Sequence, residues 1–271
     1  MTTDLSREAT FIATRAHGRF VEFAEACSEY RYIGVCHGRP GVGKTRSARE
    51  YAAWPGLPDY AFSAPQGRAQ AEAVRHCRGL FHTATVANTP KTLHAALGSA
   101  LLRLGHARLV LEGRLDEEGC LSEADRACSL VIVDEADRLS LKSLEELRDI
   151  YDRKGFGLIL MGMPGFEKRL ARYPQLYSRI GFVHEFKPLG AEEARVLLTR
   201  HGEALGIAFD RDDPEHAEAL AAVIRITAGN FRLIERLLAQ MRRVMALNHL
   251  DQVTADVVQA ARDCLVIGPG H

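Results

Sequence analysis

The stretch Gly38-Arg39-Pro40-Gly41-Val42-Gly43-Lys44-Thr45 decides the fold. Before it, Tyr32-Ile33-Gly34-Val35-Cys36-His37 is mostly β-branched, aromatic or small and apolar, the composition of a buried strand. After it, Arg46–Ala53 contains neither Gly nor Pro and reads as a helix. Strand, Gly-rich turn and helix opening on Lys-Thr make the P-loop pattern G-x-x-x-x-G-K-[ST]. Gly38, Gly41 and Gly43 let the backbone turn its N–H groups inward around a phosphate. The following helix adds free N–H groups and the positive end of its dipole. Arg39, Pro40 and Val42 complete the loop. Lys44 is expected on the β- and γ-phosphates of ATP, and the Thr45 hydroxyl on Mg²⁺.

A second stretch supports the first. In Ser129-Leu130-Val131-Ile132-Val133-Asp134-Glu135-Ala136-Asp137, four apolar residues form a central strand that ends on two carboxylates. Ligands of open α/β sheets bind at the C-terminal ends of the strands. An acidic pair there, downstream of a P-loop, is the Walker B arrangement. Asp134 is expected to hold Mg²⁺, and Glu135 to polarise the attacking water.

The 271 residues suffice for one α/β domain and a smaller one, and 46% hydrophobic content excludes a disordered chain. Lys plus Arg (35) equals Asp plus Glu (35), so bulk charge gives no support for nucleic-acid binding, and any such site must come from local asymmetry. The six cysteines contain no C-x-x-C pair and read as reduced thiols, and the histidines show no metal spacing. No apolar run approaches ~18 residues, and the N-terminus lacks the apolar core of a signal peptide, so a cytoplasmic protein without membrane contact is expected.

In chain order, the pattern predicts a helix over Leu5–Tyr30, the P-loop strand and its helix, and a short helix near Arg68–Cys77. A second strand follows over Leu80–Val86. Thr89-Pro90 then starts a helix running to about Leu104. Arg108–Arg126 reads as an acidic loop. After the Asp134 strand come a helix over Leu141–Arg153, a strand over Gly157–Gly162, a helix over Phe166–Ala171 and a last strand over Phe182–Phe186. Four helices fill the rest: Ala191–Ala204, Pro214–Thr227, Asn230–Leu247 and Thr254–Val266.

Five strands alternating with helices, then four helices, resembles the plan of an AAA+ ATPase: an αβα core with a parallel five-stranded sheet, residues 1–187, and a helical lid, residues 188–271. Within that superfamily the chain is most similar to the transposition ATPases of the TniB, TnsC and Mu B type. The stretches YRYIGVCHGRPGVGKT and LVIVDEADRLS carry the general resemblance; LILMGMPGFEKRLARYPQLYSRIGFVHEF and ITAGNFRLIERLL narrow it. The resemblance implies an ATPase that oligomerises with ATP on double-stranded DNA, as a hexamer or helical filament, selects target DNA and activates a partner transposase. It implies that Arg179, in the Ser-Arg element, is an arginine finger reaching the neighbouring subunit's nucleotide, with Arg172 a weaker candidate. It also implies that Arg232, in Gly229-Asn230-Phe231-Arg232, contacts the γ-phosphate in cis. The position that usually carries a polar, water-orienting residue at the end of the fourth strand holds Gly162-Met163 here, which predicts slow or partner-dependent hydrolysis.

For DNA, the basic excess between Asp59 and Ala107 points to Arg68, Arg75, Arg78, Lys91 and Arg103 as backbone-phosphate contacts with little base reading. Two other readings compete. One is another AAA+ machine, of the replication-loader or secretion-assembly type; the latter predicts a membrane span or a peptidoglycan-binding extension, and the sequence shows neither. The other is a nucleotide-gated scaffold with negligible turnover.

Overall fold

The computed structural model describes residues 11–57, 67–114, 124, 126–210 and 212–265. Parts of three predicted elements fall outside them: Leu5–Thr10, most of the acidic loop, and Val266. The described residues form two compact units.

The first unit, His17–Gly38 with Lys44–Phe186, is built on five parallel strands: β1 Ile33–His37, β2 Leu80–Thr83, β3 Leu130–Asp134, β4 Gly157–Gly162 and β5 Ile180–Glu185. Their order across the sheet is β2-β3-β4-β1-β5, each neighbouring pair parallel. β3 and β4 are buried along their whole length, as unbroken apolar runs covered on both faces must be, whereas the edge strand β5 alternates between half-buried and exposed residues. The helices in chain order are α1 Arg15–Tyr30, which starts at the end of the helical unit, α2 Lys44–Ala52, α3 Gly67–His76, α4 Pro90–Glu112, α5 Leu141–Lys154, α6 Phe166–Leu170 and α7 Pro174–Tyr177. Ile33, Val35, Val131, Val133, Leu158 and Leu160 meet Leu97, Leu101, Leu144 and Leu147 in one core.

Register places the chemistry. His37 pairs with Gly162, and Val133 with Leu160, so the ends of β1, β3 and β4 lie side by side. Gly38 follows directly from that edge.

Some boundaries differ from the sequence expectation. α1 begins at Arg15, residues 11–14 being non-helical. β2 stops at Thr83, whose pairing with Asp134 is closed by the last ladder bond, from Ala84 N–H to Asp134 O at 2.9 Å. α4 runs eight residues past Leu104, to a left-handed Gly113 cap. In its last turns the Arg108 guanidinium donates to Ala127 O and Cys77 O.

The second unit joins Lys187–His271 with residues 39–43 and the N-terminal residues to Ala16. Its helices are α8 Ala191–Ala204, α9 Pro214–Thr227, α10 Phe231–Asn248 and α11 Ala255–Asp263. Leu197, Leu198, Leu220, Val223, Leu237, Leu238 and Val258 form its core, and Ile12 packs against it. Asp213, Asn230 and Thr254 cap α9, α10 and α11 with their side chains.

Candidate nucleotide-binding site

Gly41 and Gly43 have φ values of +79° and +106°, the left-handed region that a side chain disfavours. A Cβ on Gly38 would lie 2.4 Å from Phe186 O, so that turn admits only glycine. Lys44 opens α2 and its Nζ donates to Gly38 O at 2.6 Å. Burial lowers the Lys44 pKa, opposed by the neighbouring Cys36, Asp134, Glu135 and Asp137. The ammonium therefore sits folded over its own loop, where an anion would relieve its desolvation.

The Thr45 hydroxyl donates to Asp134 Oδ2 at 2.7 Å, and Asp134 Oδ1 accepts from Glu135 N–H at 2.9 Å. Asp134 is only 4% exposed, and both its oxygens are aimed by these bonds. A hydroxyl and a buried carboxylate sharing one point beside a phosphate cradle form an oxygen donor set of the kind that Mg²⁺ takes. These residues fit a Mg–nucleotide. Glu135 has φ +55°, an uncommon conformation for a non-glycine residue that costs energy to hold. Its side chain is 40% exposed, with Oε2 3.6 Å from Arg138 Nη2.

Within the helical unit, Asn230 joins the loop to the helices. Its Nδ2 donates to Pro40 O at 2.8 Å while its Oδ1 caps α10 at Leu233 N–H. Arg232 N–H donates to Gly41 O at 3.0 Å, and a Cβ on Gly41 would lie 2.5 Å from Asn230 Oδ1. The Arg232 side chain is exposed. Asn230 had no predicted role beyond its place in the motif. No sequence signal distinguishes it from an ordinary helix cap, because its second hydrogen bond reaches back 190 residues.

Arg179 lies elsewhere. Its main-chain O accepts from Ile33 N–H at 3.1 Å, at the start of β1. Gly38 is five residues further along, ~16 Å of extended chain. Arg179 and Gly38 thus lie at opposite ends of β1.

The DNA candidates separate by exposure. Arg68 and Lys91 are exposed. Arg75 pairs with Glu72 at 3.2 Å. Arg78 faces Glu25 at 3.8 Å, with its guanidinium 5.4 Å from the centre of the Tyr51 ring. Arg103 is a correction: at 7% exposure it belongs to the inner side of α4, where it cannot meet a phosphate backbone. α4 is buried on most sides from Leu101 to Ala107, so position on the Leu93-Leu97-Leu101 face did not reveal which polar residues turn inward. The backbone N–H groups near Lys91 are partly spent on a capping box between Thr89 and Thr92.

A parallel sheet with a glycine loop, lysine and paired carboxylate at its strand ends defines a P-loop nucleotide-binding protein. The family model for the AAA domain matches residues 27–170, just over half the chain. The chain is 40% identical over 275 residues to a potential ATP-binding protein of Staphylococcus aureus, covering 97% of this chain and 99% of that one. It is 32% identical over 155 residues to the ATP-dependent target DNA activator B of Escherichia phage Mu, covering 55% of this chain and 42% of that one. Among solved structures, the RuvB Holliday junction branch migration motor of Thermotoga maritima shares the fold with a TM-score of 0.60 at 17% identity, over 95% of this chain and 71% of that one. The chain belongs to the AAA family, and its resemblance within it is to the Mu B type of transposition ATPase.

No helix among the described residues is long and apolar enough to cross a membrane.

Proposed function

We propose that this chain is an ATP-dependent DNA-binding ATPase that assembles on double-stranded DNA, selects target DNA and recruits or activates a transposase. The observation that carries the proposal is the Thr45–Asp134 pair at the glycine loop, in a chain similar to an ATP-dependent target DNA activator. Residues 38–45 would hold the phosphates, with Lys44 leaving Gly38 O to meet the β- and γ-oxygens. Thr45 and Asp134 would hold Mg²⁺, which neutralises charge on the transferring phosphate. Glu135 would take the proton from the attacking water. Arg232 would sense the γ-phosphate through the loop that its N–H already binds. Arg179 would serve the neighbouring subunit, since its own loop is a strand's length away. Arg68 and Lys91, with Arg75 and Arg78, would track DNA phosphates. The division into a core of residues 1–187 and a lid of 188–271 belongs to this proposal, as does a cytoplasmic location.

A scaffold with negligible turnover is the second reading, favoured by Gly162, which offers no side chain to orient water. Measuring ATP turnover with and without duplex DNA tests both. The proposal expects DNA to stimulate a slow basal rate; no turnover under either condition would leave the scaffold.

A further inference from the structure

Asp137 stands three residues beyond Asp134, in the 3₁₀ turn Ala136–Arg138 that follows β3. Its Oδ1 is buried and accepts no hydrogen bond among the described residues. The nearby cations are engaged elsewhere. Arg169 donates to the main-chain carbonyls of Asp137 and Leu139, and Arg138 to Ala84 O. The main chain of the turn is thus held by Arg169 while Asp137 Oδ1 stays buried without a donor among the described residues. A buried oxygen without a donor is costly and calls for an explanation, a catalytic role or a bound water among them.

The position of that oxygen is informative. A Cβ on Gly162 would lie 3.1 Å from Asp137 Oδ1 and 2.8 Å from the Phe166 ring. Gly162 ends β4, level with His37, the residue before the P-loop. The space into which a side chain at 162 would project is therefore taken by the Asp137 carboxylate and the Phe166 ring. The missing polar side chain at 162 and the unpartnered carboxylate at 137 are two sides of one arrangement.

We infer that Asp137 replaces the absent polar side chain at Gly162 as the group that orients the attacking water for Glu135. The inference rests on the hydrolytic reading proposed above. Asp137 Oδ1 accepts one O–H of the water. Glu135 receives the other proton as the water oxygen bonds to the γ-phosphorus and the bond to the leaving ADP oxygen breaks. Asp137 neither gains nor loses a proton in the step. Asp137 is among the carboxylates whose charge opposes the lowering of the Lys44 pKa.

Asp137→Ala and Asp137→Asn, with Glu135→Gln as control, test this through three readouts: single-turnover hydrolysis at saturating ATP and Mg²⁺, ATP affinity, and thermal melting without nucleotide. Asp137→Ala is expected to lose at least ~100-fold in single-turnover rate with ATP affinity changed less than about threefold. Its melting temperature without nucleotide should equal or exceed that of the wild type, because a buried oxygen without a donor has been removed. Asp137→Asn keeps shape and one acceptor oxygen and should retain an intermediate rate. A lower melting temperature for both variants, with hydrolysis reduced only in proportion to folded protein, would make Asp137 a packing residue and overturn the inference. Wild-type rates for Asp137→Ala beside an inactive Glu135→Gln would overturn it while leaving the hydrolytic reading intact. A wild-type protein without turnover, or a Glu135→Gln variant as fast as wild type, would remove the hydrolytic reading and the inference with it.

Discussion

Arg179 Nε lies 2.7 Å from Asp152 Oδ1, which docks the candidate finger on α5 of its own subunit. Arg148 reaches the other oxygen of Asp152 at 3.4 Å and Glu145 at 3.0 Å, so Arg179 is the last member of an ionic chain along that helix. Both Arg179 and Asp152 are about one-third exposed, and such pairs are easily exchanged. A γ-phosphate presented by a neighbouring subunit carries more charge than one carboxylate and would compete for the guanidinium.

That competition gives the first prediction. Asp152→Ala should melt within about 2 °C of the wild type and assemble with ATP at least as readily, because it frees Arg179. Arg179→Ala should still bind ATP as a monomer but fail to hydrolyse it. Mixed with Glu135→Gln, some interfaces would pair an intact Glu135 with an intact neighbouring Arg179, and turnover should partly return. Two co-assembled variants that stay inactive at every ratio would mean that Arg179 only holds the fold.

Lys44 supplies the second. Its ammonium is half-buried and its pKa is lowered by that burial, so its charge does not serve the apo fold. Lys44→Met should melt no lower than the wild type. Its ATP affinity should fall at least ~100-fold, or about 2.7 kcal/mol. Equilibrium titration with a fluorescent ATP analogue reads this directly; unchanged affinity would refute the loop assignment.

The third concerns pH. Burial lowers the pKa of His17, His82 and His184 below 6.5, with Glu50 opposing the shift at His17. His184 stacks on Phe23 at 5.3 Å between ring centres and meets Phe20 and Phe186 edge-on. Below pH 6.5 the unfolded chain takes up protons that the native state resists. Stability is therefore fully present above that value and lost as pH falls through the folded-state pKa values. Melting temperature should drop between pH 7 and 5, and His184→Phe should flatten part of the slope. An identical slope in that variant would contradict the assignment.

The chain's order of strands and helices was legible because the P-loop and the Asp134 strand carry strong local chemistry and because buried parallel strands read as unbroken apolar runs. What escaped was set by distant partners. Nothing near Arg108 announces that its partners are Cys77 O and Ala127 O. Arg103 looked like a surface charge because helical spacing reports one buried face, and α4 is buried on several. The pairing of Asp137 with the bare Gly162 required the register of β4 and the turn after β3 together. Glu135 and Asp134 were readable as a pair; the left-handed backbone at Glu135 was not.

Nucleotide control of DNA binding is the property that most directly defines the proposed function. Fluorescence anisotropy of a labelled random-sequence duplex should be measured with ATP, with ADP and without nucleotide, for wild type, Glu135→Gln, and Arg68→Ala with Lys91→Ala. The expected result is binding with ATP only, persistent in Glu135→Gln, weakened in the Arg68/Lys91 variant, and falling steeply with salt as phosphate contacts release counterions. Equal binding in all three nucleotide conditions, or none in any, would contradict it.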